Sequence, residues 1–130
     1  MSTTKNYQLS SIGELSKIAR TTLHQELGLT GAEVSINNLP AGISVPFVHA
    51  HKQNEELYIV LSGKGCIYID GEELAIEEGS VLRLAPAAAR CVTAAKDSAL
   101  SFVCIQTKAG SLEGFTESDG LPVDAKPSWL

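Results

Sequence analysis

Two hydrophobic periods divide the chain. Between residues 11 and 27 the apolar side chains Ile12, Leu15, Ala19, Leu23 and Leu27 recur at helical spacing and share one face. Ser11 and Glu14 have the spacing of a capping box, and Gly28 is a natural stop, so the pattern predicts one short N-terminal helix over about 11–27. His24 falls beside the apolar stripe, where a surface or helix-end role is the expectation. From Gly31 onward the runs shorten and become β-like, with strands predicted at 33–39, 45–51, 55–62, 65–70, 72–76, 80–85, 90–94 and 99–106. Asp70-Gly71 is a strong hairpin signal, and "SGKG" and "EEGS" read as further turns. Short strands with this punctuation predict an all-β sandwich or small antiparallel barrel. The stretch 107–130 is rich in Gly, Pro, Ser and acidic residues and predicts an irregular C-terminal tail. Its Phe115, Leu121, Trp129 and Leu130 are candidates to anchor it to the barrel or to a second subunit. Nothing marks a second domain, so 1–130 reads as one domain with its barrel at about 31–106.

Composition narrows the partners. A chain of 130 residues can bury one core, and 44% hydrophobic against 19% charged residues reads as compact and soluble. The net charge of −5, with no cluster of Lys and Arg, argues against nucleic acid and against anionic membrane surfaces. No apolar run is long enough to cross a bilayer, and "MSTTKNYQLSS" lacks a signal-peptide core. Cys66, Cys91 and Cys104 are odd in number and form no CxxC, which fits reduced thiols and a cytoplasmic location.

The chemistry concentrates in "FVHAHKQNEELYIVLSG", Phe47 to Gly63. On a strand, residues two apart point the same way, so His49 and His51 project together. If "KQNE" closes an antiparallel hairpin, His51 and Glu56 lie opposite each other with Cβ atoms about 5 Å apart. Two imidazoles and a carboxylate then converge, a donor set that suits iron, manganese, nickel or zinc and leaves coordination positions open. Tyr58 falls on the same side, whereas Leu57, Ile59 and Leu61 line the other and Glu55 points to solvent. Taken separately, an HxH pair is commonly structural and a glutamate pair before an apolar run is commonly a solvated turn. The hairpin is what ties them together.

The spacing H-x-H-x4-E-x6-G, met by His49, His51, Glu56 and Gly63, resembles the first motif of the cupin superfamily, here of the small single-domain, conserved-barrel type. Pro40-Ala41-Gly42 is similar to the family's entry turn, with one extra residue before His49. The resemblance covers roughly Glu33 to Gln106 and implies a cupin-type antiparallel β-barrel, or jelly roll, with a divalent transition metal inside it. It also implies a homodimer, which would cover the apolar outer face of "EELYIVLS", a face that the N-terminal helix or the tail could also cover. The family's second motif supplies a third histidine after a Pro-x-Gly turn, but the matching "GSVLRLAPAAARCVTA" has none. Counting from Gly79 puts Arg90 at that position, and counting from Pro86 puts Cys91 there; one residue of difference selects opposite faces. An inward Cys91 would add a thiolate ligand and favour zinc. An inward Arg90 would repel a metal ion but clamp a substrate carboxylate. With neither inward, Arg90 is solvated or at an interface and Cys91 is a small buried hydrophobe.

Two function classes fit these residues. In one, a metal held by His49, His51 and Glu56 polarises a small oxygenated substrate for oxygenation, isomerisation or decarboxylation. Tyr58 or Arg90 orients that substrate, and Phe47 and Phe102 line the cavity. In the other, the barrel binds or senses a small molecule without catalysis, with or without metal. The absent histidine and the short list of further acid–base candidates weigh towards the second, and enzyme status stays open between them. Arg83 reads as solvated or interfacial, and Cys66 and Cys104 as packing. No phosphate-binding loop or Ser-His-Asp arrangement is present.

Overall fold

A computed structural model describes residues 6–130; the reading of the N-terminus as lacking a signal core rests partly on residues 1–5, which lie outside that range. Seven strands form among the described residues: β1 Arg20–Thr22, β2 Glu33–Leu39, β3 Asn54–Ile69, β4 Glu72–Glu77, β5 Val81–Leu84, β6 Arg90–Ala94 and β7 Leu100–Lys108. All pairings are antiparallel. The fold is mostly β, as the strand-length periodicity predicts. No helix among the described residues is long and apolar enough to cross a membrane.

The 16-residue β3 organises the molecule. Its first half lies between β7 and β5, and β7 continues through β2 to β1; its second half lies between β4 and β6. One strand therefore belongs to both layers. It bends where the ladder slips between Val60 and Ser62. Gly63 has φ +84°, and a Cβ there would stand 1.8 Å from the Ala99 carbonyl oxygen. A Cβ on Gly65 would stand 2.3 Å from the Thr93 oxygen. Only glycine lets the neighbouring backbones close in at these points.

Inside, burial alternates with the pleat. Leu100, Phe102 and Cys104 on β7, Val92 and Ala94 on β6, and Tyr58 and Val60 on β3 pack with Ile67, Ile76 and Leu84 into one core. Each such large side chain contributes about 1.5–3 kcal/mol by leaving water.

Four predicted features differ. The helix over 11–27 is instead a 3-10 turn at Leu15–Lys17, then β1, then a four-residue helix α1 at His24–Leu27. The apolar spacing was genuine, but Thr21 and Thr22 are β-branched and β2 offers a free edge, which Arg20–Thr22 fill by pairing with Asn37–Ser35. Glu14 makes no side-chain cap, and Asn38 Nδ2 donates to the carbonyls of Leu15 and Ile18. Second, 45–51 is not a regular strand: Pro46 removes a donor, and only isolated bridges join Ser44 to Thr93 and His49 to Arg90. Third, "SGKG" is no turn, because 55–62 and 65–70 are one continuous strand. Asp70-Gly71 does turn the chain, with φ of 48° and 93°. Fourth, Phe115, Leu121, Trp129 and Leu130 are all exposed, so the barrel does not anchor the tail.

Gly63→Ala and Gly65→Ala are each expected to lower unfolding free energy by about 3 kcal/mol or more, because backbone oxygens must move. Gly71→Ala has open space and should lose only the left-handed strain, about 1–2 kcal/mol. Urea titration of the three variants checks this order.

Candidate metal centre

Glu56 reaches the interior from β3, on the same face as Tyr58 and Val60. His49 and His51 arrive on the irregular segment that runs beside β6. The His49 N–H donates to the Arg90 carbonyl at 3.0 Å, and the Arg90 N–H returns a bond to the His49 carbonyl at 2.9 Å. The His51 N–H donates to the Pro86 carbonyl at 2.8 Å. These three bonds pin both histidines. One ligand atom from each of His49, His51 and Glu56 lies within 4.8 Å of the others. The convergence predicted from the sequence is present, but its hairpin explanation is not: the histidine segment pairs with β6, and β3 pairs with β5 and β7. Closure of one layer over the other brings His51 Nε2 to 3.2 Å from Glu56 Oε2.

Glu56 is almost fully buried and paired with Arg90, which is fully buried. Arg90 donates from one terminal nitrogen to Glu56 Oε1 at 2.8 Å and from the other to the Ala85 carbonyl at 2.6 Å. The remaining carboxylate oxygen, Oε2, accepts from the Cys104 thiol at 3.3 Å. His51 Nε2 is close to that oxygen yet out of line for a hydrogen bond, and His49 Nδ1 also has no partner; both atoms are buried. Orphaned buried ring nitrogens are costly unless something receives their lone pairs. Two such nitrogens and one carboxylate oxygen facing a common point fit a divalent transition metal. Burial holds the His49 imidazole below its ordinary pKa, which keeps it neutral as a ligand must be; the Glu56 charge pulls the other way with less effect. Burial, reinforced by the Glu56 charge, also pushes the Tyr58 phenol and the Cys104 thiol up, so both stay protonated.

Beside this cluster lies a cavity of about 320 Å³. Val45, Phe47, Tyr58, Val92 and Phe102 form its apolar wall, with Tyr58 stacked on Phe102 at 5.3 Å and 13° between rings. Ser35, Asn37 and Gln106 form a polar wall, and Arg20 stands at its edge. Asn37 Nδ2 donates to Ser35 Oγ at 2.9 Å. A larger and more open groove, about 520 Å³, runs past His24 and Glu33 and contains none of the three cluster residues.

Arg90 takes the inward register, as counting from Gly79 predicts. It does not line the cavity, however: its guanidinium is occupied by Glu56 and Ala85, so it cannot clamp a substrate there. Cys91 lies on the opposite face of β6, its Sγ bonded to the Val45 carbonyl at 3.3 Å, and is outside the cluster. Tyr58, Phe47 and Phe102 all line the cavity, although Phe47 is 62% exposed at the mouth. Sequence reasoning missed Ser35, Asn37, Cys104, Gln106 and Arg20. The two-residue spacing of Ser35 with Asn37, and of Phe102, Cys104 and Gln106, carried the signal for the first four. Arg20 carried none while its segment read as a helix.

The family model described as Cupin domain matches residues 36–106. The crystal structure of a cupin protein from Bacteroides fragilis is similar at 57% identity, covering 92% of this chain and 99% of that one, with a TM-score of 0.87. A Cupin 2 conserved barrel domain protein from Salinispora arenicola is similar at 19% identity, over 69% of this chain and 75% of that one, with a TM-score of 0.59. A sugar phosphate isomerase from a cupin superfamily, from Silicibacter pomeroyi, is similar at 20% identity, over 70% and 60%, with a TM-score of 0.60. At those identities the last two speak for the fold alone. No curated protein matches the chain.

Removing either partner of the buried pair strands the other. Glu56→Gln and Arg90→Met are each expected to cost about 3–5 kcal/mol of stability. The double variant should cost less than the sum of the two by about 2 kcal/mol. A double-mutant cycle in urea measures the coupling, and additive losses would mean there is none.

Proposed function

The chain belongs to the cupin family, and from that premise we propose that its cavity holds one divalent transition-metal ion on His49, His51 and Glu56 and receives a small oxygenated molecule beside it. The observation that carries this reading is the pair of buried, partnerless ring nitrogens gathered with Glu56, whose Oε2 is not engaged by Arg90. When bound, the ion would act as a Lewis acid that polarises a substrate oxygen, the chemistry used in oxygenase, isomerase and decarboxylase reactions. Iron, manganese, nickel and zinc all suit an imidazole–carboxylate set. With Cys91 turned away, no thiolate biases the choice towards zinc.

The chain's own residues have distinct tasks. Arg90 fixes Glu56 by its Oε1, so that Oε2 is the atom presented to the ion. Its guanidinium supplies no ligand atom, so an ion held by the other three residues would keep coordination positions open. Phe47, Tyr58 and Phe102 exclude water and hold the apolar part of the substrate. Tyr58, kept protonated, is a hydrogen-bond donor rather than a base. Ser35, Asn37 and Gln106 offer neutral hydrogen bonds on the facing wall.

A second reading, a binding or sensing barrel without catalysis, is favoured by one observation. Beyond the three candidate ligands and Arg20, the titratable groups that line the cavity are Tyr58 and Cys104, and both are held in their protonated forms, so neither is poised as a base. In either reading we take the chain as a single-domain cytoplasmic homodimer. The partly exposed Leu57, Leu61 and Val81 on the outer face support the dimer, and three unpaired cysteines support a reducing compartment.

Elemental analysis of tag-free protein is expected to find about one metal ion per chain, lost in His49→Ala/His51→Ala and kept in Cys91→Ser. Absence of metal from the parent protein, even after reconstitution with iron, manganese, nickel and zinc, would remove the metal reading and leave the metal-free barrel.

A further inference from the structure

We infer that Arg20 makes this cavity a carboxylate site, receiving the carboxylate of a small organic acid whose neighbouring oxygen faces His49, His51 and Glu56. The argument begins with register. Arg20 pairs with Asn37 on β2, and Asn37 pairs with Phe102 on β7. Directly opposed residues share a face of the sheet, so Arg20 falls on the inward face that carries Asn37 and Phe102. It is among the residues that line the cavity.

Charge makes the second step. The Glu56 carboxylate is matched by Arg90 in a buried pair. No ion pair or hydrogen bond engages the Arg20 guanidinium among the described residues, and the polar groups beside it on the wall, Ser35, Asn37 and Gln106, are neutral. The cavity thus carries one unmatched positive charge in a chain whose net charge is −5. A divalent ion would make it more positive still. Arg20, His49, His51 and Glu56 all line this one cavity, so the guanidinium and the cluster face the same space. A positive recess in an acidic protein selects anions.

Shape and wall chemistry narrow the class. The volume of about 320 Å³ admits a small molecule and little more. Val45, Phe47 and Val92 favour an apolar body. A guanidinium presents a planar fork that matches a carboxylate with two parallel hydrogen bonds. A 2-hydroxy acid with an apolar substituent satisfies all three demands. The placement of its hydroxyl rests on the metal reading; the contact between Arg20 and the carboxylate does not.

The test is calorimetric titration of mandelate, and of its neutral amide mandelamide, into the parent protein, Arg20→Gln and Arg20→Lys, each metal-free and loaded with Mn²⁺. Mandelate should bind the parent more tightly than mandelamide and weaken by about tenfold or more in Arg20→Gln, with Arg20→Lys intermediate. Mandelamide should not distinguish the variants, and Mn²⁺ affinity should stay close to the parent's. Arg20 is exposed on an edge strand, so matching melting curves will show that folding is unaffected. Mandelate that binds no better than mandelamide, or equally well to Arg20→Gln, overturns the inference even if Mn²⁺ binds. If Mn²⁺ fails to bind the parent while mandelate still depends on Arg20, the metal reading falls and the carboxylate site stands.

Discussion

The ion pair between Glu56 and Arg90 is the constraint on which the site depends. It joins β3 to β6 in the interior, where both side chains are buried. Two isolated charges at that depth would be costly; together, with Ala85 accepting the second guanidinium nitrogen, they are mutually satisfied apart from Arg90 Nε. The pair also fixes which face of β6 looks inward. That choice sends Cys91 outward and, through the paired backbone of Arg90 and His49, sets the histidine segment against the same strand. The inward residue of β6 is thus the one that holds the Glu56 carboxylate and, through its backbone, aligns His49.

This arrangement has a chemical consequence. A carboxylate sharing one oxygen with a guanidinium gives less charge to a metal than a free one, and a nearby cation raises the electrostatic cost of a second. An ion held by His49, His51 and Glu56 would accordingly be bound with moderate strength and would keep open positions for a further ligand. Such a site suits a bound molecule that contributes its own oxygen. The polar and apolar walls on either side of the cavity then decide which molecule that is.

Much of this was legible in the sequence, though not always for the right reason. The two-residue period of HxH and the four-residue gap to Glu56 identified the cluster. The predicted hairpin failed because Pro46 interrupts the histidine segment and β6 offers it a partner, while β3 is already flanked by β5 and β7. Turn residues were legible where they need a left-handed conformation and have open space, as at Asp70-Gly71. They misled at Gly63 and Gly65, where glycine serves close approach of backbones within a strand. The N-terminal segment was least legible: its apolar spacing fits a helix, and only the free edge of β2 makes it a strand. Arg20 was hidden with it, since the face a residue occupies follows from the element it belongs to.

The most direct test of the central claim is anomalous diffraction from crystals loaded with Mn²⁺. The account expects one strong peak bonded to nitrogens of His49 and His51 and to Oε2 of Glu56, at about 2.0–2.2 Å, with Arg90 still on Oε1. A protein whose crystals show no peak there, or a peak that recruits Cys91 in place of Glu56, would contradict it.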